Sequence, residues 1–271
     1  MDVFNARRQY LGRGYINPRS QITVRLLSRD EETVDRDFFV RRISRAWAYR
    51  QRFLAEPEYC RLIFSEADFL PGLIVDKFGA CLVIQTLALG MDVYKDIIVS
   101  VLDELLQPEM IYERNDASVR TLEGLPLQKG FLKGQGETML QVRENGLLFY
   151  ADIENGQKTG FFYDQRDNRR LLSKFVADAE VLDCFCFTGS FSIHAAAYGA
   201  RHVTGIDISA AAVEMAKKNA VLNQVQNSCD FQEANAFDLL REYSDSGRSY
   251  DTVVLDPPAF AKSQSSVESA A

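Results

Sequence analysis

The 271-residue sequence has no apolar run approaching the roughly 18 residues a bilayer span needs, which excludes an integral membrane protein. Its opening stretch, MDVFNARRQY, lacks an apolar segment, so no secretory signal is expected. Five cysteines (Cys60, Cys81, Cys184, Cys186, Cys229) are odd in number and show no C-x-x-C spacing. Neither a disulfide framework nor a zinc site fits that pattern, and a reducing cytoplasm is the expected compartment. With two histidines, His194 and His202, a histidine-based metal site is not expected either. Repeats and low-complexity tracts are absent. What is there is globular composition: 46% hydrophobic and 25% charged.

Charge is unevenly spread. The net charge is −7, yet residues 1–61 hold 13 arginines, no lysine and 8 acids, a local +5; the remainder carries −12. A basic segment on an acidic body points to a local footprint for an anionic partner, or to a solvated arginine-rich face. Short strands are predicted at 3–5, 11–16 and 22–27. A helix is predicted at 37–54, where Phe39, Ile43, Ala46, Trp47 and Leu54 recur at helical spacing. A mixed region follows, with strands at 62–64, 73–75, 81–87, 110–113, 137–142 and 147–152, a helix at 93–106, and Glu144-Asn145-Gly146 as a hairpin turn. Residues 121–136 read as a loop rich in Gly, Pro and Lys.

From about residue 165 helices and strands alternate: helix 168–176, strand 181–185, helix 191–198, strand 203–207, helix 210–222 capped by Ser209, and strand 252–256. Such alternation predicts an α/β fold with a parallel sheet. Three of its strands close on aspartate, namely Asp183, Asp207 and Asp256. Ligands of open α/β sheets bind at carboxyl strand ends, near the topological switch point. The turn after the first strand, Cys184-Phe185-Cys186-Phe187-Thr188-Gly189-Ser190, has one glycine and is not the G-x-G-x-x-G that cradles a pyrophosphate. Asp207 follows Asp183 by 24 residues, about the spacing at which an acid meets ribose hydroxyls. A ribose-bearing ligand without phosphate points to S-adenosyl-L-methionine. Asp256-Pro257-Pro258-Ala259-Phe260 then forms a stiff strand exit that can present a planar base to a methyl donor, with Phe260 available for stacking.

These stretches resemble a known family. The segment NGQKTGFFYDQR at 155–166, together with VLDCFCFTGSFSIHAA, GIDIS, EANAFDLL and DPPAFAKS, is similar to the bacterial 23S ribosomal RNA large-subunit cytosine-5 methyltransferases that carry an N-terminal PUA domain. The stretches LGRGYINPRSQITVRLLSRD and FSEADFLPGLIVDKFG resemble the end of that PUA domain and the start of the family's middle domain. The resemblance implies a partial PUA-like RNA-binding domain with a basic helix at 1–58, an α+β middle domain at 59–154, and the N-terminal part of a Rossmann-like class I methyltransferase domain at 155–271. It implies that Asp183, Phe185, Thr188 and Gly189 shape the methionine end of the cofactor site, that Asp207 holds the ribose, and that Asn235 and Ala236 lie beside the adenine. Gln157, Phe162 and Tyr163 would close over the cofactor. Asp256 would be catalytic, between cofactor and target base, with Pro257, Pro258 and Phe260 on the substrate side.

Measured against that family, the chain is expected to be an internal fragment, with the nucleophilic cysteine beyond residue 271. Cys184 and Cys186 are expected to serve packing, and His194 to be packed or partly exposed rather than a general base. The expected activity is methyl transfer to carbon 5 of a cytosine in 23S rRNA. The alternatives are a guanine-nitrogen methyltransferase, or a chain that binds RNA or cofactor without turnover. Ribosomal RNA is the expected partner, with no membrane and no metal; a homodimer is compatible with the sequence.

Overall fold

A computed structural model describes residues 1–258. Contacts divide the chain into two compact units: residues 1–142 with 151–163, and residues 143–150 with 164 onward. The last change of unit falls at 163/164, and the tip of one hairpin belongs to the second unit.

The first unit begins with β1 (Asp2–Phe4), β2 (Tyr10–Ile16) and β3 (Val24–Ser28), an antiparallel sheet in the order β1-β2-β3. Helix α1 (Arg36–Phe53) follows. Asp35 caps it by accepting the Phe38 N–H at 3.1 Å, and its stripe of Phe38, Phe39, Ile43 and Ala46 is buried. Each phenyl removed from water in this way contributes about 2–3 kcal/mol. Next come β4 (Tyr59–Phe64), β5 (Leu73–Phe78), β6 (Cys81–Thr86), α2 (Leu89–Val93), α3 (Lys95–Leu106), β7 (Met110–Asn115), α4 (Val119–Leu122) and β8 (Gln128–Lys133). The five strands form one sheet in the order β4-β5-β6-β7-β8, parallel between β6 and β7 and antiparallel elsewhere.

The helix predicted at 93–106 stands as α3, with the short α2 before it ending at Val93. One expectation is corrected here. The loop predicted at 121–136 contains β8, an edge strand whose Lys129 and Lys133 suit an edge and mask its strand pattern.

Strands β9 (Met139–Glu144) and β10 (Leu147–Asp152) form a hairpin turning at Asn145-Gly146, both with positive φ as a two-residue turn demands. The second unit continues with α5 (Arg166–Leu171), β11 (Glu180–Cys184), α6 (Ser190–Ala197), β12 (His202–Asp207), α7 (Ala210–Leu222), β13 (Cys229–Glu233), α8 (Ala236–Ser246) and β14 (Thr252–Leu255). Among the described residues its sheet runs β13-β12-β11-β14, all parallel. Alternate residues of β11 face opposite sides. Val181 packs with Leu172, Val176, Ala195 and Val203, while Leu182 and Cys184 pack with Ile206, Ala236 and Tyr243. A parallel strand buried on both faces reads as this kind of unbroken apolar run. The chain steps outward from β11 to β12 and β13, then returns to place β14 on the other side of β11. The switch point lies between β11 and β14, the position at which open α/β sheets take their ligands, beyond the carboxyl ends.

Candidate active site

The strand register sets the site. Asp183 pairs with Gly205 on one side and Val254 on the other, so Asp207, the last residue of β12, and Asp256, the first residue after β14, each lie two positions further toward the carboxyl ends of the strands flanking β11. Asp183 is one residue inside its strand and is almost wholly buried. Its Oδ2 accepts from the Ser192 N–H (3.0 Å) and the Ser192 hydroxyl (2.6 Å) at the start of α6. Its Oδ1 is buried with no hydrogen-bond partner among the described residues, and so is the hydroxyl of Thr188. An orphaned buried carboxylate oxygen is costly unless a ligand completes it. Burial, opposed by the Ser192 bonds and reinforced by the charges of Asp256 and Asp207, pushes the Asp183 carboxyl up from 3.8 to about 7.

The loop after β11 is wound tightly. Phe185 (φ 63°) and Phe187 (φ 50°) both adopt the left-handed conformation, unusual for bulky residues, before Gly189 (φ 80°) opens α6. A Cβ on Gly189 would stand 2.9 Å from the Ala216 Cβ and 3.1 Å from the Phe231 ring, so glycine is required on both counts. The strain is held by specific bonds. The Cys186 N–H donates to the Ile206 carbonyl (2.9 Å), and the Phe187 N–H donates to Asp207 Oδ2 (2.9 Å). Asp207 Oδ1 accepts the Ser209 N–H at 2.9 Å. Each oxygen retains a lone pair for a ribose hydroxyl. Asp207 is therefore a brace for the loop as well as a candidate ribose acceptor.

Asn235 caps α8 by accepting the Phe237 N–H at 2.9 Å, and Ala236 is buried. Asp256 follows β14 directly and accepts from Gln165 Nε2 at 3.3 Å, with Pro257 and Pro258 after it. Phe260 lies outside the described residues. Gln157, Phe162 and Tyr163 belong to the first unit. There Gln157 is exposed, Phe162 lies under the Lys158 ammonium (4.5 Å to the ring centre), and Tyr163 is a core residue. Its ring meets Phe78 and Phe161, and its hydroxyl donates to the Lys77 carbonyl at 3.0 Å. That stretch is anchored by Arg114, which donates to the Ile153 and Gly156 carbonyls, and by the Thr159 hydroxyl, which donates to Asp76 at 2.5 Å.

Sequence reading missed several contributors. Asn219 of α7 is fully buried; its amide donates to the Thr188 carbonyl (3.0 Å) and accepts the Tyr150 N–H (2.8 Å), tying the loop to β10. Ile208 is 72% exposed and Phe237 48% exposed at the same carboxyl edge, where Phe237 meets Phe185 edge-on at 6.0 Å. Apolar surface beside a ribose acceptor suits a purine ring. An exposed isoleucine directly after a strand-closing aspartate is the signal that could have found it.

The expected packing roles of His194, Cys184 and Cys186 match the structure. Burial lowers the imidazole of His194 to about 4. Its Nδ1 donates to the Ser190 carbonyl at 2.7 Å, which leaves Nε2 to accept from the Asn145 amide at 3.2 Å. Burial pushes the Cys184 thiol up to about 11, Cys81 and Cys229 to about 12, and Cys186 higher still; Cys60 is buried. Cys81, Cys184, Cys186 and Cys229 are therefore not poised as thiolates. Among the described residues no cluster of three or more His, Cys, Asp or Glu could hold a metal ion, and no helix is long and apolar enough to cross a membrane.

The sequence model for S-adenosylmethionine-dependent methyltransferases matches residues 115–269, more than half of the chain. The chain belongs to the S-adenosylmethionine-dependent methyltransferase family. A PUA-like domain model matches residues 1–29 of this methyltransferase. Among curated relatives, the ribosomal RNA large subunit methyltransferase I of Shewanella amazonensis is 42% identical over 275 residues, spanning 100% of this chain and 69% of that protein. The protein of the same name from Aliivibrio fischeri is 41% identical, with the same two shares. In fold the methyltransferase is similar to a crystallised candidate methyltransferase complexed with SAH, with a TM-score of 0.84 at 21% identity over 97% of this chain and 68% of that one.

The donor set fits the cofactor: a buried carboxylate oxygen without a partner would be completed by a cationic group such as the sulfonium or ammonium of S-adenosylmethionine, and two further carboxylates stand at the neighbouring strand ends.

Proposed function

We propose that this methyltransferase modifies carbon 5 of a cytosine in large-subunit ribosomal RNA. The observation that carries the reading is relatedness along the whole chain, at 42% identity, to proteins named for large-subunit ribosomal RNA methylation. The three aspartates at the adjacent strand ends beside the switch point support it. When bound, S-adenosylmethionine supplies an electrophilic methyl group, so the protein's task is chiefly to position two reactants.

In this reading Asp183 and Thr188 take the methionine end, with Phe185 and Gly189 shaping the pocket around them. Asp207 accepts the ribose hydroxyls with its remaining lone pairs. Asn235, Ala236, Ile208 and Phe237 border the adenine. Gln157 and Phe162 complete the proposed cofactor set, and Tyr163 holds their segment in place. Asp256 accepts a proton or hydrogen bond from the target base, while Pro257 and Pro258 keep the strand exit extended. The division of labour is a PUA-like RNA-binding region with its basic helix at 1–58, a middle domain at 59–154 and a methyltransferase domain from 155.

Carbon 5 of cytosine is a poor nucleophile until a thiolate adds to carbon 6; carbon 5 would then take the methyl group, leaving S-adenosylhomocysteine, and removal of the carbon-5 proton by a base would expel the thiolate and restore the ring. The buried thiols of Cys184 and Cys186 are unsuited to that addition, so in this reading the nucleophile comes from outside the described residues. The test is disruption of the gene in its host, with mass spectrometry of 23S rRNA nucleosides. Loss of one 5-methylcytidine is expected. Loss of a methylguanosine would overturn the atom assigned, and an unchanged nucleoside profile would overturn the substrate.

A further inference from the structure

The outer face of α1 is not used by the cofactor chemistry, and it has an unusual composition. The helix carries six arginines against one acid, Asp37. Its inner stripe is buried in the first unit's core, and its outer face holds Arg45, Tyr49, Arg52 and Phe53, all exposed. Arg45 and Arg52 make no ion pair among the described residues. Beside this face the one-turn helix Ser65–Asp68 ends on Phe69, a bulky residue held at φ 59° with its ring 54% exposed. Strain of this kind in a phenylalanine is retained where the surroundings fix a side chain for a purpose.

The guanidinium of Arg42 lies 5.3 Å from the Phe69 ring centre and that of Arg45 lies 5.9 Å away. Arg50 is fixed by a two-point bond to Asp68 (2.5 and 2.6 Å), which neutralises the acid in the groove, and lies over Tyr49 at 5.5 Å. Tyr49 and Phe53 meet at 4.6 Å between ring centres. Together Arg42, Arg45, Tyr49, Arg50, Asp68 and Phe69 line a groove of about 360 Å³. The helix lies outside the stretches matched by either family model, 1–29 and 115–269.

Rings exposed beside unpaired guanidinium groups have two complementary uses. A nucleobase stacks on the ring, and its phosphates meet the arginines. We propose that this groove binds an unpaired segment of RNA, with a base stacked against Phe69 and Tyr49 and the adjoining phosphates on Arg45 and Arg52. The proposal rests on the reading that the substrate is RNA, and it gives this methyltransferase a second RNA contact remote in sequence from its strand-end aspartates. A folded acidic protein would meet the same charge without needing the rings.

The experiment is fluorescence anisotropy of a labelled ten-nucleotide oligoadenylate with the full 271-residue chain, repeated at several salt concentrations. Phe69→Leu keeps bulk and apolarity but removes the ring. It should weaken binding roughly five- to hundredfold and leave the salt slope unchanged. Phe69→Tyr should restore affinity. Arg45→Gln and Arg52→Gln should each flatten the salt slope by about 0.7 for every phosphate left without its arginine. Unchanged affinity in Phe69→Leu would overturn the proposal, as would equal weakening by Arg45→Gln of binding to oligoadenylate and to polyglutamate. Calorimetric S-adenosylhomocysteine binding by the same variants should stay at the wild-type value. Loss of that binding would mean a damaged fold, and Phe69→Tyr then decides. A chain that binds oligoadenylate through Phe69 while gene disruption leaves 23S rRNA unchanged would overturn the substrate reading alone.

Discussion

The buried carboxyl of Asp183 makes a measurable prediction about stability against pH. Its proton is held up to about 7 in the folded chain, against 3.8 for the ordinary group. Below pH 3.8 both states are protonated and the group costs nothing. As the pH rises from 3.8 to 7 the unfolded chain releases its proton while the folded chain keeps it, so stability falls. Above 7 the loss is complete, about 4 kcal/mol at about 1.4 kcal/mol for each pH unit. Asp183→Asn removes the titration. Asparagine can still accept from Ser192, but its amide group occupies the site where Oδ1 lacks a partner, a cost of about 1–3 kcal/mol at every pH. The unfolding free energies of variant and wild type, measured in urea from pH 5 to pH 8, should therefore converge or cross. The variant should gain about 2–3 kcal/mol relative to wild type over that range. Taking the difference cancels the contributions of carboxylates remote from Asp183. Parallel curves would refute the reasoning. The same substitution removes the charge that a cationic ligand faces, and it should weaken S-adenosylmethionine binding at pH 8 by roughly tenfold or more.

Other substitutions report on the scaffold around that carboxyl. Asn219→Ala leaves the Thr188 carbonyl and the Tyr150 N–H buried without partners, and should cost about 2–4 kcal/mol in urea unfolding while loosening the cofactor loop. Glu144→Gln breaks a buried pair in which Arg169 donates through Nε (2.5 Å) and a terminal nitrogen (2.9 Å). A loss of about 3–5 kcal/mol is expected, visible as a lowered melting temperature. Asp207→Ala should abolish cofactor binding, because it removes the proposed ribose acceptor and frees the Phe187 N–H; unchanged calorimetric affinity would sink that role.

How legible the molecule is from its sequence depends on how local each signal is. Helix α7 runs over Ala210–Leu222, as predicted, because Ser209 announces its start and accepts the Ala212 N–H. The hairpin turn at Asn145-Gly146 is equally local. Strand β5 runs three residues past its predicted end, because Asp76 and Lys77 look like a stop. Asp76 is instead neutralised by Arg61 at 2.9 and 3.0 Å, fifteen residues upstream in an adjacent strand. Strand β13 and helix α8 were not predicted: the strand lies at the sheet's edge, with Phe231 as its one fully buried side chain. The three aspartates stand out because strand ends are punctuated. The orphaned oxygen of Asp183, the brace role of Asp207 and the Asn219 clamp depend on partners that only the folded chain brings within reach.

The split hairpin has a consequence for how the molecule can be taken apart. Residues 143–150 pack with the second unit while the segments on both sides of them pack with the first. The polypeptide therefore changes unit three times, and no single cut yields either one complete. A chain begun at Asp164 would retain every strand-end aspartate, yet it would lose Glu144 from Arg169 and Phe149 from its stack against His194, 5.5 Å between ring centres. Deletion boundaries drawn along the sequence would discard part of the methyltransferase core, and a soluble, cofactor-binding piece requires 143–150 to be supplied in the same chain or added back as a peptide.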